Sequence, residues 1–189
     1  MHYINKVILA AFTCLSLGAY DIIAQEQQAT SKTHPCQFAP KFSDFNFWLG
    51  HWDVYGDIEK TTPLFGTNTI EKDQNGCLVT ENWVGASGST GTSMNYYDGT
   101  KEKWVQHWVS ATGTVINIEG GLEHNSMTLT GKIFYINTEE NPVRDFRGTW
   151  TPVKAGVVRQ FFEESVDGGK TWYPWFEGFY FRSEIESSQ

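Results

Sequence analysis

From residue 51 to residue 182 the chain reads as short aromatic and β-branched runs, cut at near-regular intervals by turn signals. No other feature limits the possible folds as sharply. The runs fall at residues 51–55, 64–72, 77–84, 92–97, 104–110, 114–119, 126–135, 144–151, 157–165 and 171–182. Between them stand Asn75-Gly76, Asp98-Gly99, Thr112-Gly113 and Asp167-Gly168-Gly169, which reverse a chain tightly, and a longer polar loop through Asn141-Pro142. Gly120-Gly121 is expected to break or kink the sixth run. No segment carries an amphipathic helical period of useful length. The 8 Trp, 8 Tyr and 13 Phe beside 18 Gly suit many short strands with tight turns better than helices, which would show more Ala and Leu. Sequential strands joined by hairpins predict an all-β domain, a single up-and-down antiparallel barrel of about ten strands that leaves no open edge. A β-sandwich is the alternative, and it would need longer crossing connections. The compact cluster Phe45-Asn46-Phe47-Trp48-Leu49-Gly50 suits a short helical turn that plugs one end.

The first residues read as an address label. Lys6 precedes an apolar run over residues 7–17 that is too short to span a bilayer, and Asp21 follows soon after. A secretory signal over residues 1–24 is expected, cut after Ala24, with Ala19 as the second choice. Cys14 lies inside the apolar run, where lipidation does not fit. The remaining chain divides into an N-terminal arm (25–41), the barrel (42–183) and a tail (184–189). No later segment is apolar enough for membrane insertion, so a periplasmic or secreted protein is expected. With 22 acidic against 14 basic residues the net charge is −8, which gives nucleic acid no electrostatic footing. Cys36 and Cys77 follow the leader, and export makes a bond between them the expected state, with two buried thiols as the alternative.

The segment from Phe47 through Trp48-Leu49-Gly50-His51-Trp52-Asp53 to Val54 resembles the opening of a bacterial family of domains of unknown function with a lipocalin-like (calycin-type) barrel. The likeness continues through Glu81-Asn82-Trp83, the stretch from Gly91 to Asp98, Gln106-His107-Trp108-Val109, Arg159-Gln160 and the hairpin from Ser165 to Trp172. It spans nearly all of residues 45–182 and implies a fold but no activity. Gly50-His51-Trp52 is similar to the Gly-x-Trp that opens lipocalin barrels. That likeness implies a clamp in which Arg182, on the last strand, stacks over Trp52.

Candidate chemistry is sparse. His34, His51, His107 and His124 have no metal-ligand spacing and there is no Cys-x-x-Cys, so no metal or other cofactor is expected. No Gly-x-Ser-x-Gly nucleophile and no phosphate-binding loop occur. The segment from Ser165 to Trp172 also resembles a single Asp-box, which turn chemistry explains without a sialidase. Polar residues inside apolar strands are the more informative signal. Alternation groups Glu81 with Val79 and Trp83, Asn95 with Ser93 and Tyr97, Gln106 with Trp104 and Trp108, and Arg159 with Phe161 and Glu163. Glu81, Trp83, Asn95, Gln106, Trp108 and Arg159 are therefore the expected cavity lining, with Glu81 beside Arg159. Their partner would be a small, partly apolar molecule, with an anionic group held by Arg159 as one reading. Two alternatives stand beside it. One is an enzyme on the same barrel, an isomerase, cyclase or hydrolase using Glu81 or Glu163 with Arg159. The other is a carbohydrate module using exposed Trp172 and Trp175.

Overall fold

The computed structural model describes residues 34–136 and 138–184. The leader assigned to residues 1–24, most of the arm and most of the tail lie outside them. Ten antiparallel strands close into one barrel in chain order: β1 (Gly50–Tyr55), β2 (Leu64–Asp73), β3 (Leu78–Gly85), β4 (Thr90–Asp98), β5 (Lys103–Ser110), β6 (Val115–Glu123), β7 (Ser126–Phe134), β8 (Val143–Lys154), β9 (Val157–Ser165) and β10 (Tyr173–Arg182). Each strand pairs with its sequence neighbour, and β10 returns to β1. Among the described residues no helix is long and apolar enough to cross a membrane.

One expectation about the strands is corrected. Gly120-Gly121 does not interrupt the sixth strand, because β6 runs through both to Glu123. Gly120 pairs with Trp104 on one side and Leu129 on the other, and a Cβ there would strike the Thr128 carbonyl. The glycine permits a close backbone approach within a continuous strand. The hairpin from Ser165 to Trp172 is explained by turn chemistry. The Asp167 carboxylate accepts from the backbone N–H groups of Lys170 (3.0 Å) and Thr171 (2.9 Å), and the Trp172 indole donates to the Gly169 carbonyl (2.9 Å).

The aromatic cluster before β1 does plug one end. A 3₁₀ turn (Asn46–Trp48) sends Phe45 and Trp48 into the barrel, both fully buried. Phe45 stacks on Trp48 (centroids 4.9 Å apart) and meets Trp104 and Trp150 edge-on at 5.6 and 5.2 Å. The arm that leads into the plug is tied down twice. The Cys36–Cys77 disulfide joins the helical turn α1 (Pro35–Phe38) to the residue before β3, and Lys72 donates to the Phe42 carbonyl (2.8 Å).

The closing seam is short: β1 and β10 share four paired positions, against eight between β2 and β3. A side-chain clamp reinforces it. Trp52 and Arg182 are register partners, and the guanidinium lies 3.9 Å from the indole centroid. Arg182 also donates to the Leu49 carbonyl. This explains the glycine of the Gly-x-Trp segment. Gly50 has φ +126°, and a Cβ there would land on the Arg182 guanidinium. Arg182→Ala is therefore expected to lower the unfolding free energy by ~0.5–2 kcal/mol. The loss should largely vanish in a Trp52→Leu background if the stacking is the source. Strictly additive urea unfolding energies for the two changes would show that it is not.

Candidate functional site

Above the plug the interior is not filled. A cavity of about 630 Å³ lies between β3, β5, β6, β9 and β10 and opens among the β3–β4 and β5–β6 connections. Its walls are rings: Trp83, Trp108, Phe162, Trp175 and Phe176, with Ile116 between them. The cause is visible in the neighbouring strands, where inward positions that would carry side chains are glycines. A Cβ at Gly91 would strike the Trp108 ring, and one at Gly148 would strike Phe162, its cross-strand partner. Gly66 and Gly178 serve Trp83 and Phe176 in the same way. Rings laid flat over glycines line the wall instead of filling the centre, and the space they vacate is the cavity.

The floor is polar. Glu81, Gln160 and Tyr180 face the cavity from β3, β9 and β10, and all three are buried. Behind Glu81 runs a hydrogen-bond chain across four strands. Its direction can be worked out from the groups that can only accept. The Asn95 side-chain amide donates to the Val79 carbonyl (3.1 Å), which fixes its orientation. Asn95 Oδ1 then accepts from Gln106 (2.8 Å), and Asn95 Nδ2 also donates to Ser93 Oγ (2.8 Å). Ser93 Oγ donates to Glu81 Oε2 (2.6 Å), while Asn68 donates to Glu81 Oε1 (2.7 Å) and more distantly to Tyr180 Oη (3.4 Å). The chain thus ends on the carboxyl group, which accepts from Ser93 on one oxygen and from Asn68 on the other.

Burial raises the pKa of Glu81 above its ordinary value of 4.5, opposed by the bonds from Ser93 and Asn68. The folded protein therefore holds a proton that the unfolded chain releases, and stability should fall as pH rises from 4.5 through the raised value. Asp57 and Asp167 act in the other direction. Backbone N–H bonds hold both at about 2, so their contribution is lost as pH falls from 3.8 toward that value. Glu81→Gln should flatten the decline on the alkaline side and leave the acid limb in place. Parallel curves of unfolding midpoint against pH for the two proteins would contradict this.

The residues expected in the cavity separate into three groups. Glu81, Trp83 and Trp108 line it. Asn95 and Gln106 point inward but lie behind Glu81, as links in its hydrogen-bond chain. Arg159 is elsewhere. It lies on the outer face of the barrel, bonded to Glu177 (2.7 Å) with its guanidinium 4.5 Å from the Phe161 centroid, and it does not meet Glu81. Glu163 shares that outer face and is held by Arg147 (2.6 Å). The grouping of Arg159, Phe161 and Glu163 was right, but the face was wrong. The other face carries Val158, Gln160 and Phe162, which are buried, and reaches a charge only at Glu164 near the strand end, where Arg144 (2.6 Å) and Tyr135 (2.6 Å) hold it. With Arg159 outside, no Lys or Arg among the described residues lines the cavity, and the anionic reading loses its basis.

Gln160, Phe162, Phe176 and Tyr180 are lining residues that alternation did not single out. On β10 a register shift between Pro174 and Phe176 breaks the alternation, and Trp175 and Phe176, adjacent in sequence, both line the cavity. At that shift Trp175 packs edge-on to Phe146 (5.3 Å) and Trp108 (6.4 Å) and donates to Tyr135 Oη (2.8 Å). Trp172 has the Arg147 guanidinium over its ring at 4.3 Å. The two indoles proposed as a sugar platform are thus committed to separate contacts. His107 faces outward, against Asn117 Oδ1 (2.7 Å), and His51 lies against Thr69. Among the described residues no group of three or more His, Cys, Asp or Glu side chains is placed to hold a metal.

Fold and site together define a closed antiparallel barrel with one internal, ring-walled cavity among the described residues. Against known proteins, the chain matches no protein-family model and no curated protein.

Proposed function

We propose that this is an exported binding barrel for a small, predominantly apolar, uncharged molecule. The cavity carries the reading: about 630 Å³ is drug-sized, and aromatic walls over a small polar floor are how such sites are built. The resemblance of the Gly50-His51-Trp52 opening to lipocalin-like barrels supports it. A periplasmic or extracellular location is supported by the leader-like residues 1–24 and by the Cys36–Cys77 disulfide, which suggests an oxidising compartment. A neutral ligand is supported by the lining, which among the described residues includes no Lys or Arg.

The test is a titration with N-phenylnaphthylamine, a neutral apolar fluorophore. Equimolar binding with quenching of tryptophan emission is expected, and Thr114→Trp, at the mouth, should abolish it. Failure of the fluorophore to bind, or equal binding to the Thr114→Trp variant, would overturn the reading. An enzyme using Glu81 alone as an acid is the second reading, favoured by the raised pKa of this cavity-facing carboxyl group.

A further inference from the structure

Deep in the cavity, the polar groups not already used by the protein are donors. Gln160 is the clearest case. The Trp150 indole N–H, which can only donate, bonds to Gln160 Oε1 (2.9 Å), so the Gln160 amide nitrogen is turned the other way. Among the described residues nothing accepts from it. Tyr180 Oη accepts from Asn68, and no described residue accepts its proton. Gly178 pairs with Gln160 across β9 and β10, so Tyr180, two residues on, stands diagonal to Gln160 on the same inner face. Higher up, the indole nitrogens of Trp83 and Trp108 also lack an acceptor among the described residues. Among the described residues, the lining carboxyl group of Glu81 already receives a bond on each oxygen, and the buried acceptor that has no partner, Asn68 Oδ1, does not line the cavity.

We infer that the cavity selects a neutral ring compound bearing a carbonyl-type oxygen, which accepts from Gln160 Nε2 and Tyr180 Oη while the ring lies among Trp108, Phe162 and Phe176. This rests on the binding reading above and narrows it to a chemical class. A hydrocarbon would leave both donors unpaired in a desolvated floor. An anion would find no Lys or Arg among the lining residues to offset the loss of its hydration. An ammonium group would add a donor where donors are in excess.

Four ring-matched probes decide it by isothermal titration: methyl naphthyl ketone, ethylnaphthalene, naphthoate and naphthylethylamine. The ketone is expected to bind about tenfold more tightly than ethylnaphthalene, as two neutral hydrogen bonds would provide, and more tightly than either ion. Gln160→Leu and Tyr180→Phe, made singly, should each erode the ketone preference and leave ethylnaphthalene affinity unchanged. If either variant fails to fold, the ranking on the unaltered protein still decides. Equal affinity for ketone and hydrocarbon would overturn the inference while leaving the binding reading intact. Preference for the amine would also overturn it, and would make Glu81 the anchor. Binding of none of the four would overturn both.

Discussion

Replacing Trp150 with alanine is expected to lower the unfolding free energy by about 3–5 kcal/mol, the range for deleting a fully buried indole. Trp150 is where three parts of the protein meet. Its ring touches the plug at Phe45 (5.2 Å) and Trp48 (5.5 Å) and the cavity wall at Phe162 (5.1 Å), and its N–H holds Gln160 (2.9 Å). Alanine would open a void below the cavity and leave the Gln160 carbonyl without its donor. Trp150→Phe separates the two contributions. It keeps most of the ring volume, loses the hydrogen bond, and should cost about 1–3 kcal/mol through the unpaired carbonyl. Gln160 would then be free to turn over and present its oxygen to the cavity. A loss below about 1 kcal/mol for Trp150→Ala in equilibrium urea unfolding would mean that the plug is not packed as described.

Loss of the Cys36–Cys77 bond should cost up to about 4 kcal/mol on chain-entropy grounds, for a sequence separation of 41 residues. The bond fixes one end of the arm to the β2–β3 turn, and Phe42, Phe45 and Trp48 follow within twelve residues of Cys36. Its removal therefore frees the plug in the unfolded chain more than it disturbs the native barrel. Cys36→Ala, Cys77→Ala and the double change should destabilise almost equally, because either one removes the whole constraint. Saturating reductant should bring the unaltered protein down to the same midpoint. A midpoint indifferent to reductant would show that the bond does not form or does not constrain.

The closed barrel was legible because its physics is local. Turn dipeptides such as Asn75-Gly76 and Asp98-Gly99, placed between alternating strands, dictate hairpins, and hairpins in series close on themselves to bury their edges. The plug was legible for a similar reason, since six residues from Phe45 to Gly50 combine three aromatic rings with a terminal glycine. Strand alternation also grouped side chains correctly, placing Gln106 with Trp108 and Arg159 with Glu163. What alternation cannot supply is which face is inner. That depends on the register with both neighbouring strands, and a shift of one residue inverts it.

The chain by itself therefore determined the strand order and which side chains share a face, while the clamp pair Trp52 and Arg182 was implied by the likeness to lipocalin openings. Only the tertiary structure decided that Arg159 lies outside and Gln160 inside, because that choice turns on pairing with β8 and β10. Only the tertiary structure could reveal the cavity as well. A cavity is the space left when rings from one strand settle over glycines of the next. Gly91 with Trp108 and Gly148 with Phe162 lie 17 and 14 residues apart, and no local pattern couples them. The same holds for the floor, where Glu81, Gln160 and Tyr180 meet across the barrel from positions separated by up to 99 residues. Local propensity acts over a few neighbours, whereas a binding site is set by closure of the sheet, and closure is a property of all ten strands at once.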